Sequence, residues 1–376
     1  MKTIGIITIH KINNYGSVFQ AYALQKVCEE MGFNVEIIDY KFPNIQHQNN
    51  KYAKVSDTTP KEPVWIKLLF ANALLKQHKG IAEFVRRYQH LSPSVYNTPE
   101  ELLEDTPHYD IYVTGSDQLW SPRHCNGDPA FMLHFAPDDA LKISYAASIG
   151  TNKIPEDLRP LYKRLLNRYR YIGVRETSGV EIIKEVVGMR ATTVLDPTLL
   201  LSHEEWNKIA TSRRLVKKRY ILCYFLNYSF NAFPFADELA EFVQKQTGYD
   251  IVRVARPPHK LKFSNTNYKV GASPEDFLAL VRDAEMVLTT SFHGTAFAVN
   301  YGKPLFSIVE DRNAGDSRQV SLLRSLGMDQ QILSVTDKFP DVEQGRYEVE
   351  MEQKKLGVLR FESKQFLLTA LNNEQD

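Results

Sequence analysis

The sequence predicts an α/β protein with two domains, each built on a doubly wound parallel sheet. Three observations support this fold class. Strand and helix patterns alternate along the chain, the alternation starts again in the second half, and polar motifs follow the predicted strands. Short apolar runs are typical of strands buried on both faces, and successive parallel strands need a crossover helix between them. A chain of 376 residues suits two domains of ordinary size.

The first half begins with a strand–helix–strand unit. We expect its helix to begin at Ser17, because Gln20 stands three residues later at capping-box spacing, and to end at Gly32. Residues from about 41 to 108 are less regular and are helical around 65–90. Asp196-Pro197 closes the last strand of this half, because proline cannot continue a central ladder. The predicted strands are Ile4–Ile9, Phe33–Tyr40, Tyr109–Thr114, Ile143–Ser148, Tyr171–Val174 and Thr193–Leu195.

The second half repeats this scheme. The predicted strands are Tyr220–Leu226, Tyr249–Ala255, Met286–Thr290 and Leu305–Val309. The predicted helices are Phe235–Thr247, one starting at Ser273-Pro274, Gly294–Tyr301, Ser317–Leu326 and a last one from about Lys355. We therefore expect a first domain at 1–204, a second at 205–354, and a C-terminal helix at 355–376 that packs back towards the first.

Composition excludes several classes of function. Basic and acidic residues number 46 and 45, so no bulk charge points to nucleic acid. No apolar run is long enough to span a bilayer, which leaves at most peripheral membrane contact. The three cysteines form neither a disulfide framework nor a CxxC pair, and the histidines lack HExxH spacing. We expect a cytoplasmic protein with no metal and no cofactor.

Polar motifs follow the predicted strands in both halves. Residues 13–17, 115–120, 148–150 and 175–176 do so in the first half, and residues 291–294 do so in the second. Ligands of open parallel sheets bind outside the carboxyl ends of the strands. Two such edges that face each other make a cleft, so we expect the site between the domains.

Six segments, in this order, resemble the polysaccharide pyruvyl transferase family. They are NNYGSVFQAYAL from Asn13, GSDQLW from Gly115, YAASIG from Tyr145, VRE from Val174, LDPTLLL from Leu195 and SFHGTAFA from Ser291. The resemblance implies two Rossmann-like domains in the GT-B glycosyltransferase arrangement. It also implies phosphoenolpyruvate as the donor and a sugar diol, on a polysaccharide or a lipid-linked precursor, as the acceptor. The product would be a cyclic pyruvate ketal, with release of phosphate.

The donor's phosphate and carboxylate need cationic and N–H partners. By resemblance, His293 is the donor-site histidine, which either anchors the phosphate or supplies the proton; a structural histidine is the alternative. Arg175 is a second anion ligand or an ion-pair partner of Glu176. One branch of the family has Arg-Leu-His where this chain has Ser-Phe-His, so a guanidinium is missing. The expected donor-binding residues, including two candidate replacements for that arginine, are Arg175, Ser291, Gly294, Thr295, Arg312 and Arg318.

Ketal formation also needs a base for the sugar hydroxyls. Asp117 is the best candidate, and the alternative is an aspartate that caps its own turn. Trp120 either stacks on a sugar face or belongs to the core. The turn after the first strand, at Asn14 to Ser17, either holds an anion or the acceptor or is a plain capped turn. The expected acceptor-binding residues are Asn14, Tyr15, Gly16, Ser17, Gln118 and Trp120.

Two other functions fit the same architecture. One is a GT-B glycosyltransferase that uses a nucleotide sugar, and the other is a non-catalytic relative that binds a sugar or phosphate. The first would release a nucleoside diphosphate, and the second would show no turnover. A helix around Phe84, Arg86, Arg87 and Tyr88 is either a solvated face with an apolar stripe or a surface that meets lipid-linked acceptors.

Overall fold

The computed structural model describes residues 1–48, 50–53, 63–226, 230–258, 261 and 265–373. Over these residues the chain forms two parallel sheets, each flanked by helices. The prediction of two doubly wound α/β domains is therefore confirmed.

The first sheet has seven strands, which are β1 (Thr3–Ile7), β2 (Asn34–Tyr40), β3 (Leu91–Tyr96), β4 (Ile111–Thr114), β5 (Leu141–Ala147), β6 (Tyr171–Val174) and β7 (Thr192–Thr193). Their order across the sheet is β3-β2-β1-β4-β5-β6-β7. The helices of this half are α1 (Tyr15–Glu30), α2 (Val64–Leu69), α3 (Ala71–Tyr88), α4 (Pro99–Glu104), α5 (Pro122–Cys125), α6 (Arg159–Leu166), α7 (Thr177–Ile182), α8 (Pro197–Leu200) and α9 (His203–Asn207).

The second sheet has six strands, which are β8 (Tyr220–Tyr224), β9 (Asp250–Val254), β10 (Thr266–Lys269), β11 (Met286–Thr289), β12 (Leu305–Val309) and β13 (Ile332–Ser334). Their order is β10-β9-β8-β11-β12-β13. In each sheet the first strand lies in the interior, and later strands are added on one side of it and then on the other. This reversal of the strand order opens a crevice at the carboxyl ends of the strands. The helices are α10 (Phe235–Thr247), α11 (Pro274–Arg282), α12 (Phe292–Asn300), α13 (Arg318–Leu326) and α14 (Val349–Asn372).

An aromatic core joins the domains. The ring of Phe19 on α1 lies 5.3 Å from Trp206, 6.0 Å from Phe277 and 5.1 Å from Phe297. Fully buried aromatic side chains dominate core energetics, so this contact fixes how the two sheets face each other.

Helix α14 contacts both domains. Near its start Lys355 donates to Leu326 O in the second domain, and near its end Ser363 accepts from Leu195 N at 3.0 Å in the first. The ring of Phe366 lies 6.4 Å from that of Tyr145 on β5. The helix begins at Val349, one and a half turns before the predicted start, and so ties the domains together.

The predicted starts of α1 and α12 were also wrong. Asn14, not Ser17, caps α1, because its side chain accepts from Gly16 N. The hydroxyl of Ser17 instead donates to Asp117, and the amide of Gln20 donates to Thr8 Oγ1 and Ile9 O. Neither side chain therefore caps α1. Helix α12 begins at Phe292 rather than Gly294, with Ser291 as its cap.

Candidate active site

The site is a cleft of about 570 Å³ between the carboxyl ends of the two sheets. The loops after β1 and β4 form its first-domain side, and the loops after β11 and β12 form its second-domain side. Residues from both sides line it, among them Asn14, Ser17, Asp117 and Gln118 on one side and Ser291, Phe292, His293 and Arg318 on the other. The strand-end rule therefore placed the cleft correctly.

The two sides touch at Gly16 and His293. A Cβ added to Gly16 would lie 2.0 Å from Nδ1 of His293 and 2.3 Å from its Cγ. No larger residue fits at position 16 unless the imidazole moves. Glycine is thus needed here for close approach of the second domain, and not for a special backbone angle.

Asp196 is the buried centre of the polar network. Its Oδ2 accepts from Arg175 Nη1 at 2.9 Å and from Ser116 Oγ at 2.8 Å, and it lies 3.8 Å from His293 Nε2. Burial by itself would raise the pKa of this carboxyl, but His293 and Arg175 together hold it below its usual value. Asp196 is therefore ionised, and it orients Arg175.

Asp117 faces the cleft as an ionised carboxylate. Its Oδ2 accepts from Ser17 Oγ at 2.8 Å, and burial is outweighed by Arg175, His293 and Ser17, which lower its pKa. Its φ is +85°, a conformation that is uncommon for non-glycine residues but that aspartate adopts more readily than most. Oδ1 also accepts from Gln118 N at 2.9 Å, so the turn-capping role holds as well.

His293 is neutral in the free protein at neutral pH. Burial lowers its pKa below 6.5, and the opposing effects of Asp196 and Asp117 do not restore it. Its Nε2 is buried and has no hydrogen-bond partner among the described residues. The imidazole thus presents an open nitrogen beside two carboxylates.

Two guanidinium groups lie on the Phe292 ring beside His293. Their Cζ atoms are 4.6 Å (Arg175) and 5.9 Å (Arg318) from the ring centroid. Burial and the proximity of Arg175 lower the pKa of Arg318 to about 10, so the Arg318 guanidinium stays protonated at neutral pH. Within the described part of the chain, Nε and Nη2 of Arg175 have no hydrogen-bond partner although they are buried. Such unsatisfied N–H groups are costly unless an anion occupies the site.

The expected donor-binding residues divide into two groups. Arg318 lines the cleft, whereas Arg312 is directed away from it, since its Nη2 donates to Asp329 O at 3.1 Å and its Nη1 lies 3.4 Å from Asp337. Thr295 is wrong as a donor ligand, because it is fully buried and bonds to Ser291 O and Ser307 Oγ.

One backbone amide at the start of α12, that of Gly294, is not available to bind the donor. The amide of Gly294 donates to the Ser291 hydroxyl, and its Cα packs against Thr289 and Tyr224. We correct the expected role of Gly294 accordingly: it allows close packing and does not offer a free N–H. Ser291 lines the cleft, but its hydroxyl already caps the helix.

Two expected acceptor residues belong to the core instead. Trp120 is fully buried and donates to Phe131 O at 3.0 Å, so its ring cannot stack on a sugar. Tyr15 is 1% exposed; its hydroxyl donates to Ala272 O, and its ring stacks on Phe277 at the domain junction. Asn14, Ser17 and Gln118 do line the cleft.

The sequence reasoning missed three members of the site. Asp196 was interpreted with Pro197 as a strand stop. Arg175 pairs with Asp196 and not with Glu176, which was the partner considered as an alternative to anion binding. Arg123 and His124 line the cleft near Asp117, where the sequence gave no metal or catalytic spacing. For Arg123 and His124, the sequence feature that could have indicated a place in the site is that they follow the GSDQLW segment within a few residues.

Comparison with solved structures supports the fold. A Listeria monocytogenes protein assigned as a UDP-N-acetylglucosamine 2-epimerase aligns with TM-score 0.53 at 11% identity over 98% of this chain and 90% of that one. The S. aureus MnaA–UDP complex aligns with TM-score 0.51 at 10% identity over 89% and 84%. A Rickettsia africae glycosyltransferase gives 0.50 at 10% identity over 99% and 96%. At these identities the likeness shows the two-domain GT-B type of fold alone.

Sequence comparison gives the family. No curated protein matches this chain significantly. The model of the polysaccharide pyruvyl transferase family matches residues 14–312, which include every residue of the cleft discussed above except Arg318. The match covers well over half of the chain, and it agrees with the six motifs. This protein is a transferase that belongs to the polysaccharide pyruvyl transferase family.

Proposed function

We propose that the protein transfers pyruvate from phosphoenolpyruvate to two hydroxyls of a sugar, forming a cyclic ketal and releasing phosphate. One observation carries the proposal: Arg175, Arg318 and His293 converge next to an ionised Asp117. In the described part of the chain the buried Nε and Nη2 of Arg175 have no hydrogen-bond partner, although Nη2 lies 3.8 Å from Asp117 Oδ1. Two cations and an imidazole suit a small ligand with two anionic groups.

The donor would lie against the Phe292 ring. Arg175 and Arg318 would each hold one of its anionic groups, and His293 would contact the phosphate. In the free protein the site lowers the pKa of His293. Because the donor is negatively charged, donor binding would raise the pKa of His293, and the imidazole would take up a proton. His293 would then serve both as anchor and as the acid.

The proposed chemistry balances without a cofactor. A proton adds to the methylene carbon of the donor, and the first sugar hydroxyl attacks C2 while its proton passes to Asp117. The bond from C2 to the phosphate oxygen then breaks. The second hydroxyl closes the ring at C2 and gives its proton to the departing phosphate. Asp196 touches no substrate in this scheme; it positions Arg175.

The test is turnover with a panel of acceptors. The protein is incubated with phosphoenolpyruvate and with nucleotide-linked or lipid-linked sugars that carry neighbouring hydroxyls, and phosphate release and product mass are followed. We expect acceptor-dependent phosphate release and a product heavier by pyruvate less water. Release of a nucleoside diphosphate from the sugars, with phosphoenolpyruvate untouched, would assign the protein to the glycosyltransferases instead.

A further inference from the structure

A cluster of large apolar side chains is exposed on α2 and the first five residues of α3. Trp65 is 58% exposed, Leu68 71% and Leu69 62%, and Val64 and Leu75 are similar. Within α2, Ile66 is the one residue that is buried. We call residues 64–75 the apolar tip. Exposed apolar surfaces of this kind on a folded protein are typical of sites that contact a membrane or another protein.

Among residues 63–82, all of which the structure describes, the acidic and basic side chains other than His78 are lysines alone, and Glu83 is the next acidic residue along α3. Lys67, Lys76 and Lys79 are exposed. On α3, Lys79 is a helical neighbour of Leu75 at i, i+4 spacing and of Lys76 at i, i+3 spacing. An apolar surface edged by lysines complements an anionic bilayer. Two copies of this face would bring lysine against lysine.

Helix α3 holds the apolar tip firmly against both domains. Gln77 Nε2 donates to Tyr15 Oη at 2.9 Å in the first domain and to Ala255 O at 3.1 Å in the second. Phe70 packs against Tyr268 with ring centroids 5.6 Å apart. The inner face of the helix pair is thus occupied, and the outer face has no protein surface to cover it among the described residues.

The apolar tip also lies beside the route to the active site. A second cleft of about 450 Å³ is lined by Lys67 and Leu74 at one end and by Asn13 and Asn14 at the other. Asn13 and Asn14 also line the catalytic cleft. The apolar tip therefore borders a cleft that shares Asn13 and Asn14 with the catalytic cleft, on the side from which a membrane-bound acceptor would approach Asp117.

We propose that the apolar tip docks on an anionic phospholipid bilayer, with Trp65, Leu68 and Leu69 inserted at the headgroup boundary. Among the described residues no helix could cross a membrane, so the contact would be peripheral. Tryptophan is well suited to this boundary, since its ring is amphipathic. The corollary that the sugar acceptor is lipid-linked rests on the proposed function, whereas membrane docking itself does not.

The protein carries a native probe for this contact. It has three tryptophans, of which Trp120 and Trp206 are fully buried and Trp65 is exposed. Vesicles that contain phosphatidylglycerol should shift the fluorescence to the blue, and brominated acyl chains in those vesicles should quench it. Phosphatidylcholine vesicles and high salt should give much weaker responses. The measurement needs no donor or acceptor, so it can fail or succeed independently of pyruvyl transfer.

Co-sedimentation with the same vesicles tests the residues. Replacing Leu68 and Leu69 by Ser should weaken binding to phosphatidylglycerol vesicles on the order of tenfold or more, and Lys67→Gln with Lys76→Gln and Lys79→Gln should do the same. The matched controls are Val358→Ser with Phe361→Ser, which are equally exposed apolar residues on α14, and Lys208→Gln with Lys217→Gln. These controls should bind as the parent does.

Either of two results would overturn the proposal. One is a parent protein that shows neither sedimentation nor quenching with any vesicle. The other is an oligomer of the parent that Leu68→Ser with Leu69→Ser converts to monomer, without any vesicle binding, which would assign the face to a second copy of the chain. Each variant should unfold at the same temperature as the parent. A loss of vesicle binding then does not result from a loss of the fold.

Discussion

The two sides of the cleft differ in chemical character. The first-domain side supplies the ionised carboxylates Asp117 and Asp196 with Arg175, whereas the second-domain side supplies the neutral His293 and the cationic Arg318. Neither side combines a base with a complete anion site. The reactive arrangement is therefore created when the two domains pack together, and neither Rossmann-like domain contains it alone. His293 packs directly against Gly16 at this junction, with no room for a side chain between them.

Removing the base on the first-domain side should have the largest effect on turnover. Asp117→Asn keeps the shape of the side chain and its bond to Gln118 N, but it cannot accept the hydroxyl proton. We expect kcat to fall by about 10²–10⁴. Donor affinity should be unchanged or slightly higher, because a negative charge near the anionic donor is lost. Initial rates with phosphoenolpyruvate and a productive acceptor measure both.

Asp311→Asn is the matched control for that variant. Asp311 is an exposed carboxylate on the opposite rim of the cleft and bonds to Asn313 N. Its replacement should leave kcat within a few-fold of the parent. Equal rates for Asp117→Asn and Asp311→Asn would remove Asp117 from the mechanism and leave it as a turn residue.

Removing the imidazole from the second-domain side is expected to rank next. His293→Ala should lower turnover on the order of a hundredfold or more, with folding nearly unchanged. His293→Gln should recover part of the activity if the residue acts mainly as an anchor, and hardly any if it also gives the proton. Kinetics and thermal unfolding of both variants decide this. If stability falls while specific activity persists, His293 is a structural residue.

Widening the contact between the two sides should have an intermediate effect. Gly16→Ala places a methyl group where the His293 ring lies, so the imidazole or the whole second domain must shift. We expect roughly a ten- to hundredfold loss in kcat/KM, since small displacements of a reacting group are costly.

Gly357→Ala is the control for that change. It lies within α14 with no atom within 4 Å of an added Cβ, so alanine there should stabilise the protein by up to about 1 kcal/mol and leave activity alone. Parental activity of Gly16→Ala would mean that the closeness of the two sides does not matter for catalysis.

The smallest expected effect is a dependence on pH. The pKa of His293 is lower in the folded protein than its usual 6.5, so between these two values the unfolded chain binds more protons than the native one. Native stability should therefore fall as the pH drops through this window. His293→Gln lacks that penalty, so its unfolding temperature should fall less over the same range. Parallel unfolding curves for the two proteins would show that His293 does not titrate as described.

Much of the fold could be predicted from the sequence because apolar periodicity is strong where burial is complete. Strand β6, helix α10 and strand β12 begin and end at the predicted residues. The strands β3, β10 and β13 were not predicted. They lie at or near the sheet edges: β3 contains Pro93, the residues of β10 are all partly exposed, and β13 has three residues. One-sided or short strands lack the continuous apolar run that identifies a central strand.

The site was harder to predict than the fold for a related reason. The strand-end rule located Asp117, Arg175 and His293, since each follows a clear strand. The partners of these residues were not predictable, because Ser17 bonds to a residue 100 positions away and Arg175 to Asp196 on the next strand–helix turn. Local spacing suggested a capping box and an Arg–Glu pair instead. Side chains that choose distant partners override such local patterns.

Donor binding by calorimetry tests most directly the claim that the two sides together form a site for a small donor with two anionic groups. Phosphoenolpyruvate is titrated into the parent, into Arg175→Gln and into Arg318→Gln, with a UDP-sugar as the competing ligand. We expect the parent to bind phosphoenolpyruvate with uptake of protons in buffers of different ionisation enthalpy, and each variant to bind at least about tenfold more weakly. Tight binding of the UDP-sugar, with no heat from phosphoenolpyruvate, would contradict the account.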